Sequence, residues 1–316
     1  MNKIGIIIPY FGNFPNYFEL WLACCEKNKE IDFLIFTDNV NTYNYPGNVH
    51  VSIISFREIK ERIQSLYDFS ISLDNTYKLC DFRPAYGEIF EKELLKYEYW
   101  GYCDVDLIFG NIRKFITDDI LEQYDKIFQR GHLSLMKNKF EITRLYRKTL
   151  GGEEVYKKVF STKENCTFDE KFLEGWGGIN GIFHEQNKNI YINDLIVADI
   201  NIKHKNFYVN SDNCFNKKIF LYNFKNNGSL YKCEYNEENI LKEYIYIHLQ
   251  KRTMAFQISE KWNEKYLIVP NKFIEVPNNF NMKQIIEKYN KNGAVYFPYI
   301  KIRLNNLIKK IKRIWR

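Results

Sequence analysis

The chain has 316 residues, 45% of them hydrophobic and 27% charged, enough for one large domain or two small ones with an ample core. No apolar run approaches the ~18 residues of a membrane-spanning helix. The net charge of +7 lies entirely in residues 301–316, where Lys301, Arg303, Lys309, Lys310, Lys312, Arg313 and Arg316 stand without an acid. The rest of the chain is neutral, which argues against nucleic acid as a partner. The seven cysteines are odd in number and form no Cys-x-x-Cys. This argues against a disulfide framework or a zinc site and for a reducing compartment.

The chain opens on a buried strand, Ile4-Gly5-Ile6-Ile7-Ile8, which ends at Pro9 and is too short for a secretory leader. A protein kept in the cytoplasm is the expectation. Residues 16–28 carry apolar positions at helical spacing (Phe18, Leu20, Trp21, Leu22 and Cys25). Ile31 to Thr37 reads as a second strand and Val49 to Ile54 as a third. Ser55-Phe56-Arg57-Glu58 is a capping box that opens a helix through about Tyr67. Pro84 is expected near the start of a helix that reaches Lys96.

The strand that follows, Tyr99-Trp100-Gly101-Tyr102-Cys103, leads into Asp104-Val105-Asp106. Two carboxylates this close repel each other, and a divalent cation would remove that cost. Hard oxygen ligands suit Mn²⁺ or Mg²⁺, which would in turn bind a diphosphate. By itself the tripeptide reads equally as a turn with two solvated carboxylates. The β-α-β-α rhythm predicts a mixed, mostly parallel sheet with helices on both faces. Ligands bind such sheets at the carboxyl ends of strands, where Tyr10, Phe11, Thr37, Asp38 and Asp104 all fall. Tyr10 and Phe11 suit stacking on a base or plain core packing.

Later in the chain, Gly175-Trp176-Gly177-Gly178 interrupts a helical region, and Tyr244 to Leu249 reads as a strand with His248 at its exit, followed by Lys251 and Arg252. A lone His is a core residue or a ligand, and here it stands beside two phosphate-seeking cations. His204-Lys205 is the rival pair. In the tail, Leu304, Leu307, Ile308, Ile311, Ile314 and Trp315 follow helical spacing among Lys and Arg. A basic amphipathic helix of this kind lies on an anionic membrane or docks on its own domain.

The segment Tyr77-Lys78-Leu79-Cys80-Asp81-Phe82-Arg83-Pro84-Ala85-Tyr86-Gly87, followed by Tyr99 to Asp106, resembles the GT-A-fold glycosyltransferases, in particular those of bacterial capsule and surface-polysaccharide synthesis. The resemblance runs over roughly residues 3–255. It implies a Rossmann-like nucleotide-diphospho-sugar transferase fold, with a catalytic domain over 1–298 (a nucleotide-binding half 1–110 and an acceptor half 111–298) and a tail over 299–316. It implies Asp104, Asp106 and His248 as metal ligands, with Asp106 the direct one. It implies Tyr10, Phe11, Thr37, Asp38, Lys78, Asp81, Arg83, Asp104, Lys251 and Arg252 as donor contacts, and Trp176, Gly177 and Gly178 as the acceptor loop. Ile179-Asn180 stands where some inverting families carry Glu-Asp, so stereochemistry stays open, and Asp169 and Glu170 are the candidate bases.

The implied activity is metal-dependent transfer from a nucleotide-sugar, UDP-linked by first expectation, to a saccharide on a lipid carrier at the inner face of the cell membrane. A sugar-phosphate nucleotidyltransferase is the enzyme alternative, although Pro9-Tyr10-Phe11-Gly12-Asn13 lacks that class's Gly-rich basic loop. A membrane-bound nucleotide-binding scaffold without turnover is the non-enzyme alternative.

Overall fold

A run of β-branched and aromatic residues in each of the first strands builds a seven-stranded sheet. Its strands are β1 (Ile4–Pro9), β2 (Ile31–Thr37), β3 (Val49–Ile53), β4 (Tyr99–Cys103), β6 (Lys126–Ile127), β7 (Leu133–Lys137) and β8 (Ile190–Tyr191). They lie in the order β3-β2-β1-β4-β7-β6-β8. β3, β2, β1 and β4 run parallel to one another, β7 is antiparallel to β4 and β6, and β8 runs parallel to β6. The sheet is therefore mixed and mostly parallel, as its alternation with helices predicts. The structure, a computed structural model, describes residues 3–170, 177–210, 218–233, 242–258, 264–278, 281–289, 296, 298–301, 303–304 and 307–308.

Strand succession runs outward from β1 to β2 and β3, then jumps to β4 on the other side of β1. This reversal is a topological switch point at the carboxyl ends of β1 and β4, the place where open α/β sheets take ligands.

Two smaller sheets come from the later chain. β5 (Leu107–Phe109), β13 (Tyr246–His248) and β9 (Val197–Asp199) form one, in the order β5-β13-β9. The other contains β10 (Ile219–Asn223), β11 (Ser229–Cys233), β12 (Lys242–Tyr244), β14 (Ala255–Gln257), β15 (Lys265–Val269) and β16 (Lys272–Glu275), in the order β12-β11-β10-β15-β16-β14. The single strand expected over Tyr244 to Leu249 is thus two strands with Ile245 between them.

The chain divides into two compact units. The first gathers Met1–Phe14, Trp21–Val105 and Arg113–Asn193, and holds the seven-stranded sheet. The second gathers Pro15–Leu20, Asp106–Ile112 and the chain from Asp194 on, and holds the two smaller sheets. β5 pairs with β13, and Asp106–Ile112 belong to the second unit.

In the first unit, Trp21, Phe33, Trp100 and Tyr102 are fully buried. Gly87 makes room for Trp100, because a Cβ there would stand 2.6 Å from the indole Cε2. The helix Phe56–Gln64 carries the expected capping box: Ser55 accepts from the Glu58 N–H, and Glu58 accepts from the Ser55 N–H. Pro84 does not start a helix. Short helical turns already run from Thr76 to Phe82, and Pro84 sits in a 3₁₀ turn between two of them. The missing proline N–H breaks the ladder there.

Among the described residues, no helix is long and apolar enough to cross a membrane. In the tail the backbone is helical at 298–301, 303–304 and 307–308, with Ile300, Leu304, Leu307 and Ile308 exposed. Lys309 through Arg316 lie outside the described residues.

Candidate functional site

In the first unit β4 delivers Asp104 to the strand ends, with its N–H donating to the His132 carbonyl at 2.9 Å. Arg83 reaches the same place from the helical turns after β3. Its Nη2 pairs with Asp104 Oδ1, and its Nη1 donates to Asp169 Oδ2 at 2.8 Å and to the Gly131 carbonyl at 3.0 Å. The guanidinium also lies 5.5 Å from the centre of the Tyr102 ring. Glu170 completes the cluster by accepting from the Gly131 N–H at 2.7 Å. Burial pushes the Asp169 carboxyl up to about 7, with Arg83 pulling the other way.

Beside them Lys126 is fully buried, donating to the Phe128 carbonyl and to Ser134 Oγ. Burial lowers its ammonium to about 7. At the neighbouring strand ends the Gly12 N–H donates to the exposed Asp38 carboxylate at 2.7 Å. Thr37 is buried, and its hydroxyl accepts from the Asn39 N–H. Tyr10 is stacked on Phe14 with centroids 4.9 Å apart, and Phe11 meets Phe56 edge-on at 5.4 Å. Both rings stay half-buried.

In the second unit β13 lies between β5 and β9, with His248 opposite Leu107 on one side and Asp199 on the other. Asp106, immediately before β5, therefore comes next to His248: its Oδ1 is 3.5 Å from the ring Nε2. The Leu249 N–H donates to the Asp106 carbonyl at 2.9 Å, and the Lys251 N–H to Asp106 Oδ2 at 2.7 Å. On the far side of the ring, His248 Nδ1 is 2.8 Å from Asp199 Oδ1. Burial opposes charge on both groups, but attraction between them prevails. It holds the imidazole up to about 10 and, with the Lys251 N–H, the Asp106 carboxyl down to about 2.

Within its own unit Asp104 lies against the Arg83 guanidinium and Asp106 against the His248 imidazole. The donor set suits a metal ion: a carboxylate oxygen and an imidazole Nε2 face each other, and the ring's other nitrogen is anchored on a carboxylate, the usual support of a metal-binding histidine.

Four expected donor or acceptor contacts turn out to serve the fold. Lys78 and Asp81 are 1% and 0% exposed and pair at 2.8 Å. Asp81 also accepts from the N–H groups of Cys166 and Phe168, while Lys78 donates to the carbonyls of Val159 and Glu164. They tie the 159–168 segment to the helical turn that carries them. Arg252 is 1% exposed, and its guanidinium is spent on the carbonyls of Asn201, His204 and Lys205 and on Asn271 Oδ1. Gly178, at φ 56°, opens the helix Gly178–Glu185 so close to the chain that a Cβ would stand 2.8 Å from the Phe168 and Glu170 carbonyls. Its lack of a side chain serves that approach. Gly177 precedes it in extended conformation, and Trp176 lies outside the described residues.

Asp199, Gly131 and Lys126 are the cluster residues that sequence reasoning does not reach. The only signal for Asp199 is a carboxylate at the end of a short apolar strand, Val197-Ala198-Asp199. Nothing in the sequence marks the other two.

Among solved structures, the galactosyltransferase LgtC in complex with donor and acceptor sugar analogs is similar at 10% identity and a TM-score of 0.35, covering 62% of this chain and 75% of that one. Mouse xyloside xylosyltransferase 1 in its apo form gives 11% and 0.37, covering 63% and 88%. The apo form of the glycosyltransferase GlyE of Streptococcus pneumoniae TIGR4 gives 12% and 0.31, covering 62% and 46%. No curated protein matches the chain by sequence. A family model described as a family of unknown function, DUF6625, matches residues 6–277. That match takes in both clusters and most of the chain, which belongs to the DUF6625 family.

Proposed function

We propose that this chain is a metal-dependent glycosyltransferase of the GT-A type, moving a sugar from a nucleotide-sugar, UDP-linked, to a saccharide acceptor. The observation that carries the reading is the facing pair of Asp106 Oδ1 and His248 Nε2, 3.5 Å apart and buried, where the second carboxylate of an Asp-x-Asp precedes β5 and β13 ends. Asp106 and His248 would hold Mn²⁺ or Mg²⁺, and Asp104, two residues earlier, is the third ligand the sequence supplies. When bound, the ion supplies Lewis-acid stabilisation of the leaving diphosphate.

The chain's own residues do the rest. The switch point between β1 and β4 takes the nucleoside, with Asp38 as the exposed carboxylate for ribose hydroxyls and Tyr10 and Phe11 as the ring walls. Lys251 carries an exposed ammonium for phosphate oxygens. Arg83 holds Asp104 and Asp169 in place. Asp169, raised toward neutral pH, is the group suited to take a proton from an acceptor hydroxyl, with Glu170 as its neighbour.

The acceptor, on this reading, is a lipid-linked saccharide in surface-polysaccharide synthesis, met by a chain lying on the cytoplasmic face of the membrane. What supports it is the tail: Ile300, Leu304, Leu307 and Ile308 are exposed, and the sequence of residues 301–316 is basic without an acid.

The test is calorimetric titration of UDP, GDP and CMP with and without Mn²⁺, followed by a hydrolysis screen of the matching nucleotide-sugars. Binding of one nucleotide that needs Mn²⁺ and is lost in Asp106→Ala is the expected result. Unchanged Mn²⁺-dependent binding in that variant would overturn the assignment. For the tail, deletion of residues 301–316 should abolish sedimentation with anionic vesicles; retained sedimentation would remove the membrane claim.

A further inference from the structure

We propose that Asp199 is the positioning residue of the metal centre: it holds the Nδ1 proton of His248 and thereby commits Nε2, on the Asp106 side, to the cation. The inference rests on the metal-dependent reading above and adds to it a residue outside every motif of the sequence.

Strand register sets the arrangement. The central strand β13 ends at His248, directly opposite Asp199 at the end of β9, while β5 on its other side begins just after Asp106. Three strand ends thus present acid, imidazole and acid in a row across one sheet. A carboxylate can only accept, so the 2.8 Å contact between His248 Nδ1 and Asp199 Oδ1 requires the proton on Nδ1. The nitrogen left for coordination is Nε2, which faces Asp106.

Asp199 is itself a poor choice of ligand. Its Oδ1 also accepts from Gln250 Nε2 at 2.7 Å, and its Oδ2 from Asn210 Nδ2 at 2.6 Å. Its carbonyl accepts from the Asn210 N–H at 2.8 Å. Three side-chain donors fix the carboxylate, and a metal bond would have to displace some of them. The same arrangement organises the turn after β13. Gln250 and Lys251 both adopt left-handed backbone, φ 55° and 59°, which L-residues reach only at a cost. The turn keeps that conformation because its two ends are anchored: the Gln250 side chain on Asp199 and the Lys251 N–H on Asp106.

The experiment is Mn²⁺ titration of the full chain followed by electron paramagnetic resonance, in wild type, Asp199→Ala and Gln250→Ala, with circular dichroism as the check on folding. Losing the carboxylate behind a metal-bound histidine weakens binding about 10- to 100-fold, and that is the expected loss for Asp199→Ala. Gln250→Ala removes only one donor to Asp199 and is expected to fold and to lose affinity less. A merely structural role would not alter which ring nitrogen binds. Nitrogen NMR of the Cd²⁺-loaded chain should show metal at Nε2 and a proton at Nδ1 in wild type, with ligation shared between the two in Asp199→Ala. Folded Asp199→Ala with undiminished Mn²⁺ affinity, or Cd²⁺ on Nδ1 in wild type, would overturn the assignment of Asp199 alone. A wild-type chain that takes up no Mn²⁺ would remove the metal reading and Asp199's part in it together.

Discussion

The main-chain N–H of Lys251 donates to Asp106 Oδ2 at 2.7 Å, across 145 residues of sequence. The contact uses the amide, not the ammonium, and needs the left-handed backbone of Lys251. Glycine keeps the N–H and removes the ~1–2 kcal/mol cost of that conformation, part of which its freer unfolded chain takes back. Lys251→Gly is therefore expected to melt at or above the wild-type temperature with Mn²⁺ binding intact, while nucleotide affinity falls for want of the ammonium. Lys251→Pro loses the N–H and cannot adopt the φ, and should cost about 3 kcal/mol or more. Thermal melts and Mn²⁺ titrations of the two variants check this. Lost metal binding in Lys251→Gly would show that the side chain is the working group.

The buried pair of Lys78 and Asp81 gives a second test, because stability and ligand contact predict different outcomes. Asp81→Ala strands a buried ammonium and leaves the Cys166 and Phe168 N–H groups without that acceptor. Removing one partner of a buried pair costs about 3–5 kcal/mol. Urea unfolding should record that loss, while nucleotide affinity, measured well below the melting temperature, stays at the wild-type value. A stable Asp81→Ala protein with weakened nucleotide binding would return Asp81 to the ligand site.

Lys126 supplies the pH dependence. Burial brings its folded pKa down to about 7, against 10.5 in an open chain. Between those values the unfolded state binds more protons than the folded one, so the lysine's contribution to stability rises as pH climbs from about 7 toward 10.5 and is least favourable below 7. Lys126→Met has no such group. The stability of wild type relative to Lys126→Met should therefore increase by more than about 1 kcal/mol from pH 7 to pH 10. Denaturant unfolding of both proteins across that range is the measurement; a flat difference would mean the ammonium stays charged within the fold.

The strands β1 to β4 and the Ser55 capping box were legible because they depend on local pattern: apolar runs bounded by Pro9 and Asp38, and a four-residue cap signature. The Asp-x-Asp and the strand-exit histidine beside basic residues were visible as patterns, but which side chains would meet was not. Asp199 meets His248 across 49 residues, and Arg83 meets Asp169 across 86, through strand register and helix placement that no local pattern encodes. Charge type was visible in the sequence, but burial, which sets Asp81 on backbone N–H groups and Arg252 on backbone carbonyls, was not.

Gly131 tests the cluster of the first unit without replacing any ionisable group. Its carbonyl accepts from Arg83, its N–H donates to Glu170, and a Cβ there would run into Asp169 Oδ2 and stand 3.0 Å from Arg83 Nη1. Gly131→Ala must push the Asp169 carboxylate off the guanidinium, since the obstructed atom is itself held at 2.8 Å by Arg83. Overpacking of this kind costs about 1–3 kcal/mol, read by urea unfolding. If Asp169 takes the acceptor proton, its displacement should also lower sugar transfer by at least about tenfold, equivalent to ~1.4 kcal/mol in the barrier. Mn²⁺ binding through Asp106 and His248 is expected to stay within about twofold, well under a kilocalorie. Transfer measured beside metal affinity separates the two clusters. A Gly131→Ala protein with full transfer would take Asp169 and Arg83 out of the chemistry and leave them a structural pair.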